Sequence, residues 1–210
     1  MNELILYGLK GRSRAERVLW VLQELQLPHR FVQLEYLKGE NKSETYLKLN
    51  PAGKLPTLVD GDFILSESMA ICFYLCGLSD RVLLIPTEQK QAAVFYQRIF
   101  FAVTELEPYL WLSDKERFVK DEEMPIGIAD YSIKKIATAF TSINRWLETS
   151  SYIAGETFTL ADILYYHLVT WSSIYGIPQT QAVAAYIERL ANRDAFPQSM
   201  AKAGSPAVTG

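Results

Sequence analysis

The stretch Glu3 to Leu9, ELILYGL, is short, apolar and rich in residues that favour extended chain, and Ser13 to Leu27 then sets Val18, Leu19, Leu22 and Leu25 at helical spacing. An alternating apolar pattern returns over His29 to Tyr36, so the chain opens as a βαβ unit with the parallel strand pair and right-handed crossover that such a unit implies. A polar, helix-like segment follows from Glu40 to Leu49. LPTLVDGDFILSES then predicts a hairpin, with strands over Thr57 to Val59 and Phe63 to Leu65 joined at Asp60-Gly61, and a helix running from Ser68 to Gly77.

Ser79 to Gln89, SDRVLLIPTEQ, interrupts any regular period with its proline and polar residues and reads as a linker. From Lys90 onward no stretch reads as a strand. AVFYQRIFFAVTELEPYLW, DYSIKKIATAFTSINRWLETS, TLADILYYHLVTWSSIYG and AVAAYIERLANRDAF each carry apolar residues three and four apart, the mark of packed helices. The organisation read from the pattern is an α/β domain over 1–78, a linker over 79–89 and an all-helical domain over 90–200. A small, Gly- and Pro-containing tail over 201–210 is expected to be disordered. Within FTLADI, Thr159 is placed to cap a helix, Asp162 to return the bond in a capping box and Phe158 to staple onto Ile163, which is a folding device.

Composition narrows the function classes. With 49% hydrophobic residues in 210, the chain can bury one large core or two small ones. The net charge is -3 and the 21 Lys and Arg are scattered, which excludes the basic stripe of a nucleic-acid binder. No stretch has the length of a membrane span and no secretory leader is recognisable, so a cytoplasmic protein is expected. Cys72 and Cys76 fit a reducing compartment; four apart on one helix face in an apolar context, and without a histidine cluster, they make a poor metal site and read as buried and inert. His29 and His167 stand outside any motif.

The chemistry concentrates between Asn50 and Ser68, NPAGKLPTLVDGDFILSES. Pro56 cannot donate to a strand ladder yet stands where a strand begins, a place where a cis bond in a tight turn recurs. Such a turn would present the N–H and C=O of Leu55 outward, for another extended backbone to pair with. The hairpin then delivers Glu67 and Ser68 to a helix N-terminus, where free N–H groups favour a carboxylate while Glu67 accepts from an ammonium. A small zwitterionic peptide suits that combination.

The βαβ opening, the Leu-Pro before the hairpin, the SES turn into a helix, the segments GRSRAERVLW and ETFTLADILYY, and the all-helical second half together resemble the cytosolic glutathione transferases over about residues 1 to 200. The resemblance implies an α/β thioredoxin-like N-terminal domain plus an all-α C-terminal domain, with glutathione as co-substrate, no metal, and a homodimer. It also implies the activity: glutathione's thiol, which ordinarily titrates near about 8.5, is held as the thiolate and added to an electrophilic apolar molecule in detoxification, or used to reduce a peroxide.

Residue by residue, the resemblance assigns Leu55 to the cysteinyl backbone of glutathione, Glu67 and Ser68 to its γ-glutamyl end, and Lys54 to its glycine carboxylate. For the group that activates the thiol it leaves two candidates. Tyr7 ends the first strand one position before the place of the family's tyrosine, which falls on Gly8; the usual serine or cysteine position falls on Arg12, with Ser13 beside it, and Ser13 is preferred. Arg12 and Arg14 would add positive field there, although loop arginines are more often just solvated. Tyr96, Phe100, Tyr109 and Trp111 offer an apolar wall for the electrophile. The same fold also serves non-enzymatic scaffold proteins and glutathione-dependent isomerases and dehalogenases. A disulfide reductase is less favoured because no cysteine stands at the first helix's start.

Overall fold

The structure, a computed structural model, describes residues 3–11, 13–79, 84–119 and 123–203, with 201–203 described by backbone alone. The chain divides into two compact units: unit 1 takes Met1–Leu83 together with the segment from Asp194 onward, and unit 2 takes Leu84–Arg193.

Unit 1 is a mixed sheet with helices. Strand β1 (Leu4–Gly8) pairs in parallel with β2 (His29–Gln33) and antiparallel with β3 (Thr57–Asp60), which turns back as β4 (Phe63–Ser66), giving the order β2-β1-β3-β4. Side chains alternate across β1, so Leu4 and Leu6 point into a core shared with Val18 and Leu22 of α1 (Ala15–Glu24) and with Ile71 and Leu75 of α3 (Ser68–Cys76). Gly8 lies on the same face, and a Cβ there would stand 2.6 Å from the Cβ of Ala15, so the helix can sit on the strand end only because the residue is glycine. Between β2 and β3 come two short 3-10 turns and helix α2 (Glu44–Leu49), whose first turn is capped by Ser43 accepting from the Tyr46 N–H at 3.3 Å.

The segment from Asp194 departs from the sequence reading, which assigned everything up to residue 200 to the helical domain. Phe196 meets the Trp20 ring edge-on at 5.0 Å, and helix α9 (Gln198–Ala203) places Ser199 against Glu16. An aromatic contact and a part-buried hydrogen bond therefore tie this segment to α1. The first residues of the expected tail are helical to Ala203; residues 204–210 lie outside the described residues.

Unit 2 is helical: α4 (Gln89–Phe101), α5 (Glu107–Asp114), α6 (Ile128–Thr149), α7 (Leu160–Ser172) and α8 (Gln181–Ala191). The stretch read as one helix from Ala93 widens to π-type turns over Ala102–Leu106, just before Pro108, which has no N–H for the ladder. No helix among the described residues is long and apolar enough to cross a membrane. Asp162, fully buried, organises the interior: its carboxylate accepts the Ile153 N–H at 2.9 Å, the Thr159 N–H at 2.8 Å, the Thr159 hydroxyl at 3.1 Å and the Tyr186 hydroxyl at 2.8 Å. Burial pushes the Asp162 carboxyl up to about 6, against those four donors, each of which favours the anion.

Two substitutions test this packing. Asp162→Ala strands two main-chain N–H groups in the interior, at roughly 1–3 kcal/mol each, so the urea midpoint should drop by an equivalent of about 2–6 kcal/mol; a loss below about 1 kcal/mol contradicts the account. Gly8→Ala forces the start of α1 off the sheet, and the overpacking should cost about 1–3 kcal/mol in the same assay, against no cost if the helix end adapts freely.

Candidate functional site

Sheet register brings the chemistry of unit 1 to one edge. Tyr7 stands opposite Thr57, and Thr57 opposite Ser66, so the C-terminal end of β1, the Leu55-Pro56 turn and the Glu67-Ser68 corner all leave the sheet at the same end. The first turns of α1 and α3 begin from those same connections, which directs two helix N-termini toward one edge.

At that edge the Leu55-Pro56 peptide is cis. Among the described residues no group hydrogen-bonds the N–H or C=O of Leu55. The turn is held from behind: the Lys54 carbonyl accepts from the Tyr46 hydroxyl at 2.6 Å and from the Asn50 side-chain amide at 2.9 Å, and the Asn41 amide donates to the Gly53 carbonyl at 2.7 Å. The Lys54 side chain is exposed.

Glu67 is exposed and adopts φ 69°, a left-handed conformation uncommon for a side-chain-bearing residue, so its carboxylate is displayed at a position held by the surrounding fold. Ser68 opens α3 and is buried, its hydroxyl accepting from the Arg17 guanidinium at 3.3 Å. Arg17, only 1% exposed, thus places a positive charge behind the N-terminus of α3, adding to the field that favours an anion there.

The two candidates for thiol activation lie in different settings. Tyr7 belongs to the face of β1 opposite Gly8 and α1, and its ring meets Tyr46 with centroids 6.1 Å apart. Ser13 sits in the loop just before α1. Its hydroxyl donates to the Leu9 carbonyl in a short bond, and its oxygen accepts the Ala15 N–H at 3.2 Å, so it also serves as a turn-closing residue. Arg12 lies outside the described residues.

Two neighbouring charges in α1 were not legible as part of a site. Arg17 reaches Ser68, and Glu16, also 1% exposed, accepts the Gly11 N–H at 2.6 Å and the Ser199 hydroxyl at 2.5 Å. Burial raises the Glu16 carboxyl above its ordinary range, opposed by those two bonds and by Lys10. A Glu-Arg pair in the first turn of a helix ordinarily reads as solvated; the signal available was its position, since with Ala15 and Val18 it completes one continuous turn facing the protein.

Cys72 and Cys76 are free thiols; burial pushes the Cys76 thiol up to about 12 and the Cys72 thiol further, which makes both poor nucleophiles. No group of His, Cys, Asp and Glu among the described residues could hold a metal. In unit 2, Phe100 is 62% exposed and Tyr96 and Trp111 are also exposed, while Tyr109 packs near Tyr131 at 6.2 Å.

Known proteins share both sequence and fold with this chain. Residues 2–77 match the family model of the glutathione S-transferase N-terminal domain, and residues 108–194 match that of the glutathione S-transferase C-terminal domain. Glutathione S-transferase 1 of Manduca sexta is 28% identical over 201 residues, which cover 92% of this chain and 90% of the relative. Among solved structures, a glutathione transferase homologue from Sulfitobacter with bound glutathione aligns with TM-score 0.80 at 19% identity over 93% of this chain and 96% of its own. A beta-etherase from Sphingobium sp. strain SYK-6 aligns with TM-score 0.84 at 19% identity over 95% and 99%.

Proposed function

This chain belongs to the cytosolic glutathione transferase family, and on that premise we propose that it binds glutathione along the edge of unit 1 and activates its thiol for attack on an electrophile. The observation that carries the reading is the unpaired Leu55 main chain beside the exposed Glu67 and the buried Ser68. An extended tripeptide offers a complementary N–H and C=O to Leu55, as in strand addition. Its γ-glutamyl ammonium meets Glu67, and its γ-glutamyl carboxylate meets Ser68 at the start of α3, with Arg17 behind. The glycine carboxylate lies toward Lys54, an exposed cation free to move onto it.

Laid this way, the cysteinyl sulfur falls near the loop before α1. Ser13 is the donor we assign to it: the hydroxyl turns from the Leu9 carbonyl to the sulfur, and the positive end of α1 adds to the stabilisation. Tyr7 is the weaker candidate, because its ring points to the other face of the sheet, against Tyr46. The thiolate then attacks an electrophilic carbon, forming a C–S bond while the leaving group departs with its electron pair. Reduction of a hydroperoxide to an alcohol and water, with two glutathiones leaving as the disulfide, is the second reaction such a thiolate supports. The exposed aromatics Tyr96, Phe100 and Trp111 suit an apolar electrophile, and conjugation of this kind serves detoxification in a reducing cytoplasm. A homodimer is part of the reading; Phe63 and Ile64, exposed on the edge strand β4, are apolar surface available to a second copy.

Calorimetry with glutathione, followed by thiolate absorbance of the bound ligand across pH, tests the assignment. Wild type should bind, and Glu67→Gln should weaken binding about tenfold or more by removing the partner of the ammonium. Ser13→Ala should leave binding in place and raise the bound thiol's pKa by about one unit, equivalent to about 1.4 kcal/mol of lost anion stabilisation, while Tyr7→Phe leaves it unchanged. The reverse pattern assigns the role to Tyr7; no binding by wild type transfers the chain to the scaffold reading, and binding without conjugation to the isomerase or dehalogenase reading.

A further inference from the structure

Glu16 is a buried carboxylate with no part in the ligand contacts described above. Burying an ionisable group without a partner is costly, and Glu16 has taken partners from two separate segments. Its Oε1 accepts the Gly11 N–H and its Oε2 the Ser199 hydroxyl, while its own main-chain N–H donates to the Ser13 carbonyl at 3.1 Å. Ser13 is therefore bracketed, with the amide two residues before it and its own carbonyl both fixed to one residue. Gly11 holds φ 78°, and nothing lies within 4 Å of where its Cβ would be, so packing does not hold the loop at that point. Elsewhere the loop is tied by the Lys10 N–H donating to the Gln33 side chain at 3.3 Å, in an exposed setting.

We propose that Glu16 is a positioning residue for the thiol-activating serine, and that the C-terminal segment, through Ser199, helps to hold Glu16 in place. This rests on the reading that Ser13 serves the sulfur of glutathione. A side chain anchored at both carboxylate oxygens has one available rotamer, and a loop attached to it inherits that order. The hydroxyl of Ser13 then turns between the Leu9 carbonyl and the sulfur about a fixed main chain. Without Glu16 the Gly11 N–H loses its acceptor, glycine regains its conformational range, and the hydroxyl no longer arrives at a single position. Because Phe196 also packs on Trp20, the C-terminal segment reaches α1 at two places, so shortening the chain ahead of Ser199 should act on the loop as a milder form of losing Glu16.

Three variants of the full chain test this: Glu16→Ala, Glu16→Gln and Ser199→Ala. Glu16→Ala should lower kcat for conjugation of a chloronitrobenzene with glutathione by about ten- to a hundredfold, while KM for glutathione moves less than about threefold, since the binding contacts lie at Leu55, Glu67 and Ser68. Glu16→Gln retains an acceptor for the Gly11 N–H and should recover most of that loss, and Ser199→Ala should fall between the two. Amide hydrogen exchange at Gly11, read without glutathione, should quicken in Glu16→Ala and return toward wild type in Glu16→Gln. Equal Gly11 exchange in wild type and Glu16→Ala overturns the inference whatever the activity, as does a parallel loss of glutathione affinity or an unchanged kcat. A wild type that binds no glutathione overturns the functional reading itself, and with it the role given to Ser13, whereas the exchange data still report whether Glu16 holds the loop.

Discussion

The pairing that sets Tyr7 against Thr57 and Thr57 against Ser66 governs where every polar group of unit 1 stands. Because side chains alternate along a strand, a slip of one residue would move Leu4 and Leu6 out of the core, so burial fixes the register. Once fixed, it leaves no freedom in the placement of the three connections that follow: the loop to α1, the turn into β3 and the corner into α3 emerge side by side. The site is thus a by-product of a core constraint, with polar residues needed only at positions that packing has already chosen.

Two adjacent charges then bind those connections together. Glu16 faces the Gly11 loop and the C-terminal segment, while Arg17 faces the first residue of α3, so one turn of α1 contacts three separate parts of the chain. Desolvating either charge is unfavourable, and the bonds that Glu16 accepts from Gly11 and Ser199 and that Arg17 donates to Ser68 offset part of that cost. Charges placed this way fix position more than they add stability. Asp162 does the corresponding work in unit 2, where four donors converge on one carboxylate and join the start of α7 to α8 and to the chain at Ile153.

Much of this was readable because it rests on local rules. The βαβ opening follows from a change of period, the hairpin from Asp60-Gly61, the Leu55-Pro56 turn from the missing N–H of proline, and the capping box from the spacing of Thr159 and Asp162. Features that depend on distant segments were not. Phe196 packs on Trp20 across most of the chain's length, and nothing near residue 194 distinguishes a return to unit 1 from one more helix of unit 2. Glu16 and Arg17 carry no signal of their own in the sequence, because the identity of a buried charge's partner is a property of the fold.

The question of Tyr7 against Ser13 turns on the same strand geometry. Gly8 directs its missing side chain at Ala15, at a separation where no Cβ fits, so the face of β1 that meets α1 can carry no side chain at its end. A hydroxyl on the neighbouring residue necessarily points the other way, and Tyr7 accordingly lies against Tyr46. In the proposed reading, a sulfur stabilised by the positive end of α1 takes its donor from the loop that leads into the helix. Ser13 lies in that loop, and turning its hydroxyl hydrogen about the Cβ–Oγ bond would redirect it from the Leu9 carbonyl while Oγ keeps the Ala15 N–H.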